Sequence, residues 1–241
     1  MNINLAKKLR EGTTKSHSMA ENVNFVKSFL GGVVDKKSYR KLLANLYFIY
    51  SALEEEIENN KDYKAIQMIY FPQLHRKASL EEDLIYYYDH DWKSKIAASS
   101  ATQVYVNRIH SIGRSQPELL IAHAYTRYMG DLSGGQILKK IAKRAMQLEE
   151  NQGTNFYIFK SIDDDNKFKQ MYRTALDNVP IGKETVDQII SEANIAFHLN
   201  MKVFQELNSN IIKIMVMLLT SNISSFLKSK TVFDINLIFY T

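Results

Sequence analysis

Cysteine is absent from the 241 residues of this chain, and proline and glycine are scarce, with 3 and 9 residues. Without cysteine the chain has no disulfide framework, no thiolate metal site and no cysteine nucleophile, which fits a reducing compartment. With so little proline and glycine, it lacks the material for the many turns of a β architecture. We therefore predict an all-α fold, and the length suits one large domain with a single core.

Charge of one sign is not concentrated anywhere in the chain, although the net charge is +5 and the pI is about 9.1. Lysine and arginine are spread among acidic neighbours, and no block of five or more like charges occurs. We therefore predict no nucleic-acid partner. A mixed solvated surface explains the basic excess, and docking of an acidic protein partner is the alternative.

Long hydrophobic runs are lacking as well. The candidates at 211–219 and 232–240 are short and contain Lys213 and Asp234, whereas a membrane span needs about 20 apolar residues. The first ten residues carry charge but neither an apolar signal core nor the length of a transit peptide. We predict no membrane span and a protein that works where it is made.

Helical periodicity is what the sequence does contain. Apolar residues recur at the spacing of one buried helix face along four segments: 39–58, 118–129, 137–148 and 185–219. Turn residues predict breaks between helices near 31–32, 71–72, 113–117, 151–154 and 179–182.

A glycine cluster interrupts this pattern. Gly130, Gly134 and Gly135 fall within six residues, and each glycine inside a helix costs about 0.5–1 kcal/mol relative to alanine. One interpretation is a helix that ends in a loop. The periodicity resumes at once after Gln136, however, which favours a kinked helix whose bare backbone lets a flat ligand approach closely.

Six histidines are candidates for an axial ligand to such a group. Only His17 has a carboxylate four residues away, Glu21, which on a helix would share its face and accept the outer ring N–H of a metal-bound imidazole. With 26 acidic residues in the chain, such a pairing also arises by chance, so a solvated surface pair remains open. His123 lies among apolar neighbours and is predicted to be a core histidine with satisfied hydrogen bonds. Neither Glu-x-x-His nor His-Glu-x-x-His occurs, so di-iron and zinc motifs are absent.

The chain resembles the heme oxygenase family over 5–219. The matching stretches are TTKSHSMAEN at 13–22, NLYFIYSALEEEI at 45–57, residues 70–84, PELLIAHAYTRYMGDLSGGQILKK at 117–140, FKQMYR at 168–173 and residues 192–207. The resemblance implies a single-domain, multi-helix all-α fold that holds heme between a proximal helix and a kinked, glycine-rich distal helix. It predicts a heme oxygenase domain at 1–222 and a C-terminal tail of unknown role at 223–241.

The resemblance also implies roles for individual residues. It makes His17 the proximal iron ligand, with Glu21 as its hydrogen-bonding support. Gly130, Gly134 and Ser133 would line the distal face, and Asp131 would anchor ordered water there, the alternative being a cap on the kinked helix. The residues implied near the heme propionates are Lys169, Arg173, Arg10 and Tyr125, because cations pair with carboxylates. Those implied around the rest of the pocket are Tyr50, Arg127, Phe197, Asn200 and Phe204.

The implied reaction is oxidative cleavage of heme b at one meso carbon by O2 and electrons, giving biliverdin, CO and ferrous iron. Heme would be both cofactor and substrate, and ferredoxin the electron donor. The compartment would be the plastid stroma, for a plastid-encoded protein, or the bacterial cytoplasm. A heme carrier or sensor without turnover is one alternative. A thiamin-cleaving enzyme of similar architecture is another, but its usual cysteine nucleophile has no counterpart here.

Overall fold

The computed structural model describes residues 4–149 and 152–207, and every regular element within them is helical. The helices, in chain order, are α1 (Leu5–Glu21), α2 (Asn24–Leu30), α3 (Lys36–Asn59), α4 (Lys64–Gln67), α5 (Lys77–Tyr88), α6 (Trp92–Lys95), α7 (Ser100–Ser115), α8 (Leu120–Ala124), α9 (Gly130–Met146), α10 (Asp165–Asp177) and α11 (Lys183–Glu206). Short 3-10 turns lie at Pro72–Leu74, Pro117–Leu119 and Asn155–Tyr157, and a π-helical segment at Tyr125–Met129. The predicted all-α fold is confirmed.

Helix α3 is the central element of the core, as its periodicity predicts. Its N-cap is Asp35, whose carboxylate accepts a hydrogen bond from the Ser38 N–H at 2.9 Å, which satisfies one of the unpaired donors of the first turn. Its apolar face is fully buried at Leu43, Ile49 and Leu53. This face packs against α5 and α7, so the early half of the chain is organised around one helix.

Helices α1 and α11 pack closely together although they lie at opposite ends of the described chain. A Cβ atom on Gly12 would lie only 2.5 Å from the Cγ2 atom of Ile190, so the contact requires glycine. The carbonyl of Gly12 also accepts a hydrogen bond from the Asn194 amide at 3.1 Å. This contact fixes the height and rotation of α1, and with them the position of His17.

The helix does not end at the glycine cluster, so the loop interpretation is wrong. The backbone stays helical from Pro117 to Met146, through a 3-10 turn, α8, the π-helical segment and α9. The irregularity is the π-helical segment itself, which comes immediately before Gly130. Such wide turns inside α-helices frequently occur at functional sites.

Three of the predicted breaks, at 31–32, 71–72 and 179–182, fall between helices and are confirmed. The break predicted at 113–117 is wrong in its first part, because α7 continues through Gly113 to Ser115. A Cβ on Gly113 would collide with the carboxylate of Glu56. This glycine therefore allows α7 to pack tightly against α3 and does not mark a helix end.

The late helix predicted at 185–219 begins at Lys183 and is described through Glu206. The end of that prediction, the domain boundary at 222 and the tail at 223–241 lie outside the described residues, as do the apolar runs at 211–219 and 232–240. Within the described residues, no helix is long and apolar enough to cross a membrane.

Candidate functional site

A cavity of about 480 Å³ separates α1, α2 and α11 from the π-helical segment and the start of α9. Its volume lies within the range of small-molecule and cofactor sites. Of the residues singled out from the sequence, those that line it are Arg10, His17, Glu21, Tyr125, Arg127, Gly130, Asp131, Ser133, Arg173, Phe197, Asn200 and Phe204. Gly134, Lys169 and Tyr50 are buried outside this lining.

One wall of the cavity presents the imidazole of His17. The ring packs edge-on against Phe197, with 5.7 Å between ring centroids. Its Nδ1 atom lies 3.6 Å from the Glu21 carboxylate, and a quarter of the His17 side chain is exposed, 25%. Burial lowers the pKa of His17 and raises that of Glu21. The wall therefore offers a neutral imidazole, the form that binds transition metals.

The opposite wall offers backbone where a side chain would otherwise stand. A Cβ on Gly130 would meet no atom within 4 Å beyond its chain neighbours and the backbone of its own helix, and Gly130 itself lines the cavity. The open space at this position is therefore part of the cavity, and a larger residue would fill it.

A largely buried polar network centred on Asp131 forms part of this side of the cavity. Its carboxylate accepts a short hydrogen bond from the Tyr50 hydroxyl and lies 3.9 Å from an Arg127 guanidinium nitrogen. Arg127 donates from Nε to the Tyr50 oxygen at 3.0 Å and from Nη1 to the Asn200 amide oxygen at 2.8 Å. Burial raises the pKa of Asp131, and Arg127 and Tyr50 oppose that rise.

The capping alternative for Asp131 is not what the structure has. The helical backbone continues through this position, and the start of α9 has no side-chain cap. The carboxylate faces Tyr50 and Arg127, not free backbone N–H groups. Asp131 is thus a mostly buried acid, 12% exposed, that lines the cavity and is held by two neighbouring side chains.

Cationic side chains gather at the mouth of the cavity. Lys7 and Arg10 on α1 are exposed there, and Arg173 on α10 is partly exposed. Lys169, one turn before Arg173, lies outside the lining; burial and the nearby Arg173 lower its pKa. The mouth can accept a ligand with negative groups at one edge.

A family model described as heme oxygenase matches residues 3–206. The chain belongs to the heme oxygenase family. It is 66% identical over 222 residues to the heme oxygenase of Porphyra purpurea, covering 92% of this chain and 94% of that protein. It is 57% identical to heme oxygenase 1 of Synechocystis sp., covering 88% of each chain.

Solved heme oxygenase structures have the same fold. The crystal structure of heme oxygenase-1 from Synechocystis sp. in complex with heme matches with a TM-score of 0.87 at 56% identity, covering 90% of this chain and 98% of that one. Heme oxygenase from Leptospira interrogans matches with a TM-score of 0.83 at 47% identity, covering 86% and 100%.

Some residues of this heme oxygenase site were missed from the sequence. Lys7 and Asp177 line the cavity mouth, and Phe156 and Tyr157 line its interior. The positions 7, 10, 14, 17 and 21 all line the cavity and follow the spacing of one helix face, so Lys7 had a detectable signal. Phe156 and Tyr157 belong to a three-residue 3-10 turn in a connecting segment. Such a segment has no helical periodicity, so no local pattern identifies them.

Proposed function

We propose that this chain opens the heme ring oxidatively, with heme lying in the cavity between His17 and Gly130. The products are biliverdin, CO and ferrous iron. The observation that carries the residue assignment is the pairing of a neutral imidazole on one wall with bare glycine backbone on the other, across a cavity of about 480 Å³. A flat ring with a metal at its centre suits such a pair of walls.

The residues present fit heme in three further respects. The interior includes apolar side chains such as Phe25, Phe29 and Phe204, which suit a porphyrin ring. Arg10 and Arg173 stand at the mouth, where charge-assisted hydrogen bonds would hold the two propionates. Tyr125 lines the same region. Lys169 lies outside the lining and would act on the propionates through its charge.

His17 would bind the iron through Nε2, because Nδ1 faces the Glu21 carboxylate. A carboxylate that accepts the Nδ1–H fixes the tautomer and the orientation of the ring. Burial keeps the imidazole neutral by lowering its pKa, so the lone pair on Nε2 is available without loss of a proton.

When bound, heme supplies the iron at which O2 is reduced and the meso carbon that is oxidised. Asp131 would hold or pass a proton through an ordered water on the distal side, since its carboxyl group is buried and has a raised pKa. Tyr50 and Arg127 keep the carboxylate oriented. Gly130 and Ser133 would leave the space that the substrate needs, and Gly134 is buried one turn after Gly130.

Turnover of added heme tests the proposal. Heme is titrated into the purified chain, and reductant is supplied under O2 as ascorbate or as reduced ferredoxin. An oxygenase loses the Soret absorbance and forms a bilin, whereas a heme carrier or sensor keeps the band. A stable heme complex that never yields bilin with either reductant would rule out the enzymatic function.

We infer that ferredoxin is the electron donor. An acidic protein would be attracted by the net charge of +5 and by the cations at the cavity mouth, Lys7, Arg10 and Arg173. Salt screens such attraction and would therefore slow the association of the two proteins. Turnover driven by ferredoxin should therefore fall between low and high ionic strength, while turnover driven by ascorbate should not. Equal salt sensitivity of both would remove the docking idea.

The remaining parts of the proposal concern boundaries and location. The family match covers residues 3–206, which lies within the heme oxygenase domain that we propose at 1–222, with a tail at 223–241. A chain truncated after residue 222 should keep full turnover. The algal and cyanobacterial relatives support the plastid stroma or the bacterial cytoplasm, which imaging of a tagged chain in its host would test.

A further inference from the structure

Two buried polar links join α11 to the helix that carries the glycines, one on each side of the start of the π-helical segment. His123 Nε2 lies 2.9 Å from the Glu192 carboxylate. Arg127 donates to the Asn200 amide oxygen at 2.8 Å. The π-helical segment begins at Tyr125, between His123 and Arg127.

Glu192 is the anchor of the first link. It is almost completely buried, with 2% of its side chain exposed, whereas Arg108 on α7 is 37% exposed. Arg108 donates to both carboxylate oxygens, from Nε at 2.9 Å and from Nη2 at 2.5 Å. Burial alone would raise the pKa of Glu192, but hydrogen bonds from His123 and Arg108 lower it to about 2. The carboxylate is therefore charged, and it binds α7 and α8 to α11.

The ionised carboxylate also fixes the proton on His123. Burial lowers the pKa of His123, so the neutral ring donates its one N–H from Nε2 to Glu192. Its Nδ1 atom is then an acceptor, and the Tyr105 hydroxyl lies 3.4 Å away. Burial raises the pKa of Tyr105 to about 12, and Arg127 and Asp131 act on it electrostatically. Polar contacts thus lead from Arg108 at the surface through Glu192 and His123 to Tyr105, whose hydroxyl senses the charges of Arg127 and Asp131.

A buried ion cluster is not by itself evidence of a stabilising role. Replacement of a buried ion cluster by apolar residues of similar volume is often neutral or stabilising, because desolvation of the charges offsets their attraction. What the cluster supplies is position. A π-helical turn contains more residues than an α-helical turn, so the directions of Arg127 and Asp131 depend on where the wide turn begins.

We propose that His123 and Glu192, supported by Arg108, are positioning residues that fix the start of the π-helical segment and so hold Arg127 and Asp131 at the cavity. None of the three lines the cavity, so they act through the groups that do. The assignment rests on the function proposed above. It adds that the reaction depends on a cluster of residues that does not contact the substrate.

A matched control exists in a second histidine and carboxylate pair. His110 Nδ1 lies 2.7 Å from the carboxylate of Glu56, of which only 6% is exposed. This pair joins α7 to α3, and neither residue lines the cavity. His110→Leu therefore removes the same kind of pair, at a ring that is 26% exposed, without touching the π-helical segment.

The test compares His123→Leu with His110→Leu by two measurements. The first is kcat and KM for heme with ascorbate as reductant. The second is amide hydrogen exchange of the peptide 120–131 in the full chain without heme, which reports the segment even if the chain proves not to turn over heme. We expect His123→Leu to lower kcat about 10-fold or more, since small misplacements of catalytic groups are costly, with little change in KM and faster exchange. His110→Leu should match the wild type in both measurements.

Two conservative variants keep the test decisive if His123→Leu does not fold. His123→Gln keeps an N–H donor for Glu192 and should restore kcat and exchange to near the wild-type values. Arg108→Met removes only the surface end of the cluster and should accelerate exchange of 120–131 by a smaller factor. Wild-type exchange in both His123→Leu and Arg108→Met, or an equal loss of kcat in His110→Leu, would overturn the positioning role.

Discussion

The two walls of the cavity are built in different ways. The wall that carries His17 rests on a close backbone contact between α1 and α11 at Gly12, and its histidine is partly exposed. The wall that carries Gly130 and Asp131 is backed by a fully connected polar network in the core. The first wall can thus tolerate changes in polarity around its ligand, whereas the second depends on the orientation of each buried group.

The largest effect should follow removal of the imidazole of His17 from the first wall. His17→Ala should retain part of the heme uptake, because the apolar interior and the cations at the mouth persist. Turnover should fall at least about 100-fold, since loss of a mere supporting partner already costs up to that factor at metal sites. Heme titration and bilin formation measure the two effects. Wild-type turnover in this variant would reject His17 as the ligand.

On the second wall the largest loss should follow Asp131→Ala. Bilin formation should fall about 100-fold, the usual size of a contribution from a positioned acid or base, while heme affinity stays close to that of the wild type. Asp131→Asn controls for the loss of side-chain volume, because asparagine has nearly the volume of aspartate but cannot donate or accept the proton as a carboxyl group does. Normal bilin formation in both variants would mean that the buried carboxyl group has no part in the chemistry.

Gly130 offers a test of space alone. Since a Cβ at this position would meet no atom within 4 Å beyond its chain neighbours and the backbone of its own helix, Gly130→Val should leave the fold of the heme-free chain intact, because valine has a higher helix propensity than glycine. The added methyl groups should occupy space that the heme ring needs and so weaken heme binding about 10-fold. Thermal unfolding without heme and a heme titration separate the two. A loss of unfolding temperature with unchanged affinity would contradict the assignment of this space to the substrate.

The smallest effect should come from Glu21→Ala. Its carboxylate lies 3.6 Å from Nδ1 of His17 and would orient the ring without binding the iron. We expect a loss of turnover of about 10-fold or less, with Glu21→Gln closer to the wild type because it can still accept the N–H. A loss as large as that of His17→Ala would show that Glu21 does more than orient its neighbour.

Local patterns predicted the parts of the molecule that depend on local spacing. The core face of α3, the beginning of α11 and the pairing of His17 with Glu21 all follow from residues three or four positions apart. The core role predicted for His123 is confirmed, since the ring is completely buried and hydrogen-bonded.

Long-range partners were beyond such patterns. Glu192 is 69 positions from His123, and Tyr50 is 81 positions from Asp131, so only the fold brings them together. The π-helical segment has no spacing rule of its own, and Gly113 looked like a helix end because its packing partner Glu56 is remote in sequence. The resemblance to a family supplied Tyr50 and Arg127 as pocket residues, but not the contacts that they make.

The π-helical segment also constrains how this family can vary. Because a π-helical turn holds an extra residue, deletion of one residue from Tyr125–Met129 would close the wide turn into an α-helical turn and leave the following helix near its present register. Leu132 and Ala142, now buried, would keep much of their surroundings, whereas Arg127, inside the segment, would lose its direction toward Tyr50 and Asn200. A change of length in this stretch would therefore act on the polar network beside the cavity more than on the packing of α9.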